Sequence, residues 1–183
     1  MEQSELYGPI ASNVWHQLSQ IKLLICDVDG VLSDGLIYLG NQGEEFKTFN
    51  TKDGFGIKAL QNAGIVVAVI TGRESRIVTE RMASLGVSHV FQAQADKRIS
   101  FNQLLSELNL SPAQVAYIGD DVVDLPVMAL CGLGVAVNDA HPLVRKRADY
   151  ITQLKGGRGC VREVCDLILE AQGVLEQAQG MSI

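Results

Sequence analysis

Asp27 and Asp29 stand two residues apart at the end of an apolar run, Leu23-Leu24-Ile25-Cys26, and Gly30 and Val31 follow them. Ionised groups are rarely buried unless they are paired or bind a metal, because desolvating them is costly. Either the run ends at the surface or these carboxylates have an electrostatic partner. Two other apolar runs also end in polar chemistry. Thr71-Gly72-Arg73 follows one, and Gly119-Asp120-Asp121 follows another, with Asp124 close behind. Lys97 opens a helical pattern. Brought together, three or more carboxylates would repel, and several would be driven toward protonation unless a cation intervened. Hard oxygen donors of this kind suit Mg²⁺, which takes one or two carboxylates, several waters and a substrate phosphate. The pattern predicts a metal-assisted site for a small phosphorylated molecule.

Such a site needs elements that carry these runs to one edge. Short β-rich runs at Leu23–Val28, Ile65–Ile70, His89–Gln92, Val115–Ile118, Gly134–Val137 and Tyr150–Thr152 alternate with helical patterns. The helices are expected at Gly54–Ala63, Ser75–Leu85, Lys97–Leu108, Leu125–Leu130, Pro142–Ala148 and Val161–Gln172. Gly64, Gly86 and Gly132 stand where helices should stop. Ser111-Pro112 offers an N-cap and a proline for a first helical position. The alternation implies an α/β fold, a parallel sheet with helices on both faces, whose strands read as near-continuous apolar runs. In open sheets ligands bind outside the carboxyl ends of the strands. Between the first two motifs, Leu36–Phe49 reads as a β-hairpin around Gly40-Asn41-Gln42-Gly43, a flap within 33–50 with apolar residues on both arms. At 183 residues, without repeat, low-complexity tract or linker, residues 1–183 read as one domain.

A net charge of −6 argues against a nucleic-acid binder, since phosphate contacts want a basic face. No apolar run approaches the roughly 18 residues of a membrane span. Met1 to Gln20 lacks the basic-then-apolar pattern of a signal peptide, so a cytoplasmic location is expected. Cys26, Cys131, Cys160 and Cys165 form no CxxC pair and read as reduced core thiols. His16, His89 and His141 are too scattered for a histidine metal site.

In order and spacing, Asp27-Val28-Asp29-Gly30-Val31, Thr71-Gly72-Arg73, Lys97 and Gly119-Asp120-Asp121 with Asp124 resemble the four motifs of the haloacid dehalogenase-like phosphatases. The resemblance implies a Rossmann-like core and an aspartyl-phosphate intermediate. It casts Asp27 as nucleophile and Asp29 as the acid that protonates the leaving alkoxide, then the base that activates water. Thr71 and Lys97 would hold the phosphoryl oxygens. Mg²⁺ would be bound by the Asp27 carboxylate, the Asp29 peptide oxygen and Asp120, supported by Asp121 or Asp124. The energetics agree with so many parts. Accelerations of phosphate monoester hydrolysis reach ~10²¹, whereas one acid or base contributes about 10²–10⁴-fold. A metal, a lysine and hydrogen-bond donors must therefore act beside the carboxylates.

No folded cap domain fits between Asp29 and Thr71, or between Thr71 and Lys97. The hairpin, the run Asn50-Thr51-Lys52-Asp53-Gly54-Phe55-Gly56-Ile57-Lys58 and the late Gly156-Gly157-Arg158-Gly159 narrow the resemblance to a capless sugar-acid phosphatase subfamily, over nearly the whole chain. The implied substrate is 3-deoxy-D-manno-octulosonate 8-phosphate, an eight-carbon acidic sugar ester on the route to bacterial lipopolysaccharide. The implied assembly is a homotetramer in which a neighbour's hairpin and its C-terminal tail, within 155–183, line the active site. Lys58, Arg73 and Arg81 are candidate cations for the sugar acid. Asn50, Thr51, Lys52, Asp53 and Gly54 are candidates for its hydroxyls, and Gly72 lies beside the motif threonine. Arg158, flanked by glycines, is the cation expected to reach a neighbouring site. Alternatives are a phosphatase for a nine-carbon acid such as sialic acid 9-phosphate, a non-catalytic binding module on the same fold, and a phosphotransfer receiver. The intact acidic set disfavours the binding module, and Asp29 disfavours the receiver, because it would speed hydrolysis of the acyl phosphate.

Overall fold

The structure is a computed structural model that describes residues 2–4 and 6–177. The chain opens with a small antiparallel pair, β1 (Glu2–Ser4) and β2 (Gly8–Ile10), then α1 (Ser12–Gln20). There follow β3 (Leu23–Cys26), the hairpin strands β4 (Tyr38–Leu39) and β5 (Glu45–Phe46), α2 (Thr51–Asn62), β6 (Val66–Ile70) and α3 (Arg76–Ser84). The rest of the chain is β7 (His89–Phe91), α4 (Lys97–Leu108), β8 (Val115–Gly119), α5 (Leu125–Met128), β9 (Leu133–Ala136), α6 (Pro142–Arg147), β10 (Tyr150–Ile151) and α7 (Cys160–Ala171).

Six strands form one sheet in the order β10-β9-β8-β3-β6-β7, and every pairing in it is parallel. All four residues of β3 are fully buried, as a central strand covered on both faces requires. Crossovers carry the chain through α2 from β3 to β6, then back through α4 from β7 to β8 on the opposite side of β3. The order therefore reverses at β3, which makes the crevice at its carboxyl end the expected ligand site. Register delivers the motifs there together: Cys26 is aligned with Val69 on one side and Ile118 on the other. Helices α1, α2 and α7 pack as one layer, and α4 packs on α5.

The sequence expectations hold for six strands and six helices, and the hairpin closes through the Gly40 amide to the Glu44 carbonyl at 2.8 Å. Three local readings change. The first strand stops at Cys26, because Asp27 caps a helical turn over Val28–Leu32 that Gly30 interrupts at φ +86°. Ser111-Pro112 starts only a single turn, Pro112–Gln114, since the next residue, Val115, already pairs in the sheet. Helix α1 and the β1–β2 pair were not anticipated: Val14 and Leu18 are the buried residues of α1, too few for a clear helical period. The tail beyond Gln177, part of the expected 155–183 segment, lies outside the described residues.

Candidate active site

Asp27 leaves the end of β3 with its amide donating to the Ile118 carbonyl at 3.0 Å, so the sheet ladder itself aims it. Its Oδ1 accepts from the Val28 amide at 2.7 Å, and its Oδ2 lies 3.0 Å from Lys97 Nζ. Lys97 is the first residue of α4, behind the N-cap Asp96, and is buried. Its ammonium donates to Asp124 Oδ1 at 2.7 Å and to the Tyr117 hydroxyl at 3.2 Å. Asp124 is fully buried and spends both oxygens on its surroundings. Oδ1 takes Lys97 and Tyr117, and Oδ2 takes the Asp120 and Asp121 amides at 3.0 and 3.2 Å. Asp124 thus fixes both the lysine and the loop that presents Asp120.

Electrostatics separate these carboxyls. Burial, then the charge of Asp124, pushes Asp27 up to about 6 against the pull of Lys97 and the Val28 amide. Burial, then Asp27 and Asp124, pushes Asp120 up to about 7. Burial pulls the Lys97 ammonium down, but Asp27 and Asp124 more than offset it, so it is held charged. A site that penalises its own carboxylates this way is short of positive charge.

The donor set fits a hard divalent cation. Oxygens of Asp27, Asp120 and Asp124 lie within 4.8 Å of one another. Because Asp124 is saturated, Asp27 and Asp120 are the carboxylates left to bind; among the described residues the Asp120 carboxylate takes no hydrogen bond or ion pair. The loop is built to this spacing, for a Cβ on Gly30 would lie 2.1 Å from Asp120 Oδ2.

Asp27, Asp29, Thr71, Gly72, Arg73, Lys97, Asp120 and Asp121 line one cavity of about 290 Å³, together with Gly35 and Val123. Thr71 is buried at the end of β6, where its amide is held by the Phe91 carbonyl at 2.9 Å. The remaining expected substrate residues do not line this cavity. Asn50 caps α2 through the Lys52 amide at 2.9 Å, with Thr51 and Lys52 exposed beside it and Gly54 buried in the helix. Asp53 is buried and caps α7 instead, accepting from the Arg162 amide at 2.8 Å. Burial raises its carboxyl to about 6, against the amides of Arg162, Gly159 and Val161. Lys58 lines a separate hollow with Gly64, Val66, Gly86 and His89 at the amino ends of β6 and β7, the opposite edge of the sheet. Arg81 sits in the last turn of α3, away from the end that follows Thr71. Within this chain Asp53 and Lys58 stand away from that cavity, one capping α7 and the other facing the far edge of the sheet.

The glycine-rich segment has a local purpose that its flexibility did not suggest. A Cβ on Gly156 would stand 1.8 Å from the Gly30 carbonyl oxygen, and the Gly157 amide donates to the Val31 carbonyl at 2.8 Å. The segment braces the Asp29–Gly30 loop of its own chain. Arg158 remains two-thirds exposed, 3.7 Å from Asp34.

Sequence reasoning missed Lys47 and Glu45. The hairpin's return arm brings Lys47 Nζ onto Asp29 Oδ1 and within 3.6 Å of Glu45, while Glu45 accepts from Arg73 at 3.3 Å. The signal was period two: Glu45 and Lys47 share one face and the exposed Phe46 takes the other.

A strand-end carboxylate, a buried lysine across from it and an acidic loop at a parallel-sheet switch point define a phosphoryl-transfer class of α/β protein. A family profile described as haloacid dehalogenase-like hydrolase matches residues 84–162. The 3-deoxy-D-manno-octulosonate 8-phosphate phosphatase of Yersinia pestis is 58% identical over 177 residues, spanning 97% of this chain and 95% of the relative. A crystal structure of that phosphatase from Yersinia pestis superposes with a TM-score of 0.95 at 58% identity, covering 97% of this chain and 96% of the other. The Moraxella catarrhalis phosphatase, crystallised with magnesium, phosphate and 3-deoxy-D-manno-octulosonate, superposes with a TM-score of 0.89 at 42% identity, covering 92% and 97%. The chain belongs to the haloacid dehalogenase-like hydrolases, and within them to the 3-deoxy-D-manno-octulosonate 8-phosphate phosphatase family.

Proposed function

We propose that this protein is a Mg²⁺-dependent phosphatase that hydrolyses 3-deoxy-D-manno-octulosonate 8-phosphate to the free sugar acid and phosphate. The observation that carries the chemistry is Asp27 Oδ2 held 3.0 Å from a buried, charged Lys97, with an oxygen of Asp120 within 4.8 Å of one of Asp27. Near-full-length relatedness to phosphatases of that name supports the substrate.

Asp27 attacks phosphorus, forming an acyl-phosphate bond as the ester P–O bond breaks, and Asp29 gives its proton to the departing sugar oxygen. In the second half, Asp29 takes a proton from water as the water oxygen bonds to phosphorus and Asp27 is released. Lys97 and Thr71 hold phosphoryl oxygens, and Arg73 meets the substrate's negative charge at the rim. Asp27, Asp120 and the Asp29 peptide oxygen would hold Mg²⁺, with Asp124 fixing their supports. When bound, Mg²⁺ supplies charge neutralisation for the transferring phosphoryl group.

The same reading extends to setting. Leu36, Ile37, Leu39 and Phe46 are exposed on a two-stranded hairpin, a form marginal by itself. Their exposure supports a homotetramer in which the hairpin, Arg81, Arg158 and the tail complete a neighbour's site around the sugar acid. Among the described residues no helix is long and apolar enough to cross a membrane. We place the enzyme in the cytoplasm, in lipopolysaccharide biosynthesis.

The test is phosphate release from 3-deoxy-D-manno-octulosonate 8-phosphate beside sialic acid 9-phosphate. Strong preference for the eight-carbon ester is expected. Preference for the nine-carbon ester would keep the chemistry and discard the substrate.

A further inference from the structure

The hairpin and the rim of the site are joined by a closed ring of charges. Lys47 Nζ contacts Asp29 Oδ1; Lys47 lies 3.6 Å from Glu45; Glu45 lies 3.3 Å from Arg73; and Arg73 Nε lies 3.9 Å from Asp29 Oδ2. The two cations are not equivalent. Arg73 is 43% exposed and lines the cavity, whereas the Lys47 side chain is 1% exposed and does not. A substrate can reach the arginine. The lysine is enclosed between two carboxylates, so it acts on a ligand only through one of them.

The oxygens of Asp29 are also unequal. Oδ1 takes the Lys47 ammonium and, at 3.5 Å, the Ser33 hydroxyl. Among the described residues Oδ2 has only the longer approach of Arg73. Holding one oxygen turns a freely rotating carboxyl into one that presents a defined second oxygen to the cavity. We propose that Lys47 is a positioning residue for Asp29: by occupying Oδ1 it assigns Oδ2 to the proton transfers. Because Lys47 arrives on the hairpin arm, seating of the hairpin and alignment of the acid become one event. Glu45 completes the device by tying the same arm to Arg73.

This inference rests on the assignment of Asp29 as acid and base, and its test separates the two. An alkyl leaving group needs the Asp29 proton; the nitrophenolate of p-nitrophenyl phosphate departs without one. The quantity to read is kcat/KM, which reports steps through formation of the phosphoenzyme. Lys47→Ala and Lys47→Met, the latter keeping the apolar stem, are expected to lose about 10–100-fold on the sugar-acid ester. On p-nitrophenyl phosphate they should stay within about threefold of wild type. Lys47→Arg should recover part of the loss, and Lys47→Met placed on Asp29→Asn should add little further loss, since the two act as a unit. Equal losses on both esters, or none, would overturn the positioning role while leaving the phosphatase intact. An Asp29→Asn enzyme as fast as wild type on the sugar ester would overturn the acid–base assignment itself, and the inference with it.

Discussion

Asp27, Lys97 and Asp124 form the chain of contacts on which the chemistry depends, and each can be removed singly. Asp27→Asn should abolish turnover and leave the fold unchanged by circular dichroism; retained hydrolysis would exclude Asp27 as nucleophile. Asp124→Ala should instead act on stability, because it leaves the Lys97 ammonium and the Tyr117 hydroxyl buried with fewer partners. Removing one member of a buried ion pair costs roughly 3 kcal/mol or more, readable in urea unfolding. A change below about 1 kcal/mol would contradict the role given to Asp124. The raised carboxyls also predict a pH dependence. Asp27 and Asp53 are pushed up to about 6 and Asp120 to about 7, from an ordinary value of 3.8. The folded state therefore binds more protons than the unfolded one between these limits. Stability of the metal-free protein should be greatest at the acid end of that window and fall as pH rises through about 6–7. With Mg²⁺ the fall should shrink, because a cation replaces the protons at Asp27 and Asp120. Thermal unfolding in EDTA and in Mg²⁺ across that range checks both signs. The sequence displayed the acidic motifs because they follow apolar strands. It left open whether Asp121 or Asp124 is the support, which depends on which oxygens the backbone amides and Lys97 reach.

The loops and helices that frame these groups test a different part of the reading. Gly156→Ala places a methyl group where the Gly30 carbonyl already stands, so the loop carrying Asp29 must move. Overpacking of this kind costs about 1–3 kcal/mol, and here it should also lower kcat. Unchanged kinetics with the same stability loss would mean that the brace does not matter to the site. Asp53→Ala should cost about 1 kcal/mol through the lost α7 cap and leave KM alone. A raised KM with unchanged stability would instead return Asp53 to the sugar. Most strands and helices were legible because buried parallel strands are continuous apolar runs and α2 and α3 stop beside Gly64 and Gly86. Helix α1 was not, since its polar face dominates its nine residues. Asn50–Gly54 were offered for the sugar's hydroxyls and Lys58 for its acid; within this chain a helix turns these side chains in different directions, with Asn50 and Asp53 serving as caps and Lys58 at the other edge of the sheet.

The molecule as a whole joins a sheet that gathers the reacting groups to a hairpin with exposed apolar side chains. The sheet, with β3 paired on both sides, brings Asp27, Thr71 and Asp120 to one crevice without help from another chain. Most of the expected sugar-recognising cations, Arg81 and Arg158 among them, stay outside that crevice, and the hairpin leaves large apolar side chains in solvent. The reacting groups therefore gather within one chain, whereas the residues offered for the sugar acid are dispersed over its surface, because the motifs end paired strands and those residues sit on helices and loops. Sedimentation should find a tetramer, and Leu39→Asp with Phe46→Asp should dissociate it and raise KM for the sugar-acid ester more than for p-nitrophenyl phosphate. A monomeric wild type with full specificity would contradict that arrangement. The most direct measurement is acid quenching during turnover of 3-deoxy-D-manno-octulosonate 8-phosphate in Mg²⁺, followed by mass spectrometry of the peptide that spans Leu23–Val31. A phosphoryl group on Asp27, absent when EDTA replaces Mg²⁺, is the expected result. Rapid turnover with that peptide never phosphorylated would contradict the covalent mechanism assigned to this site.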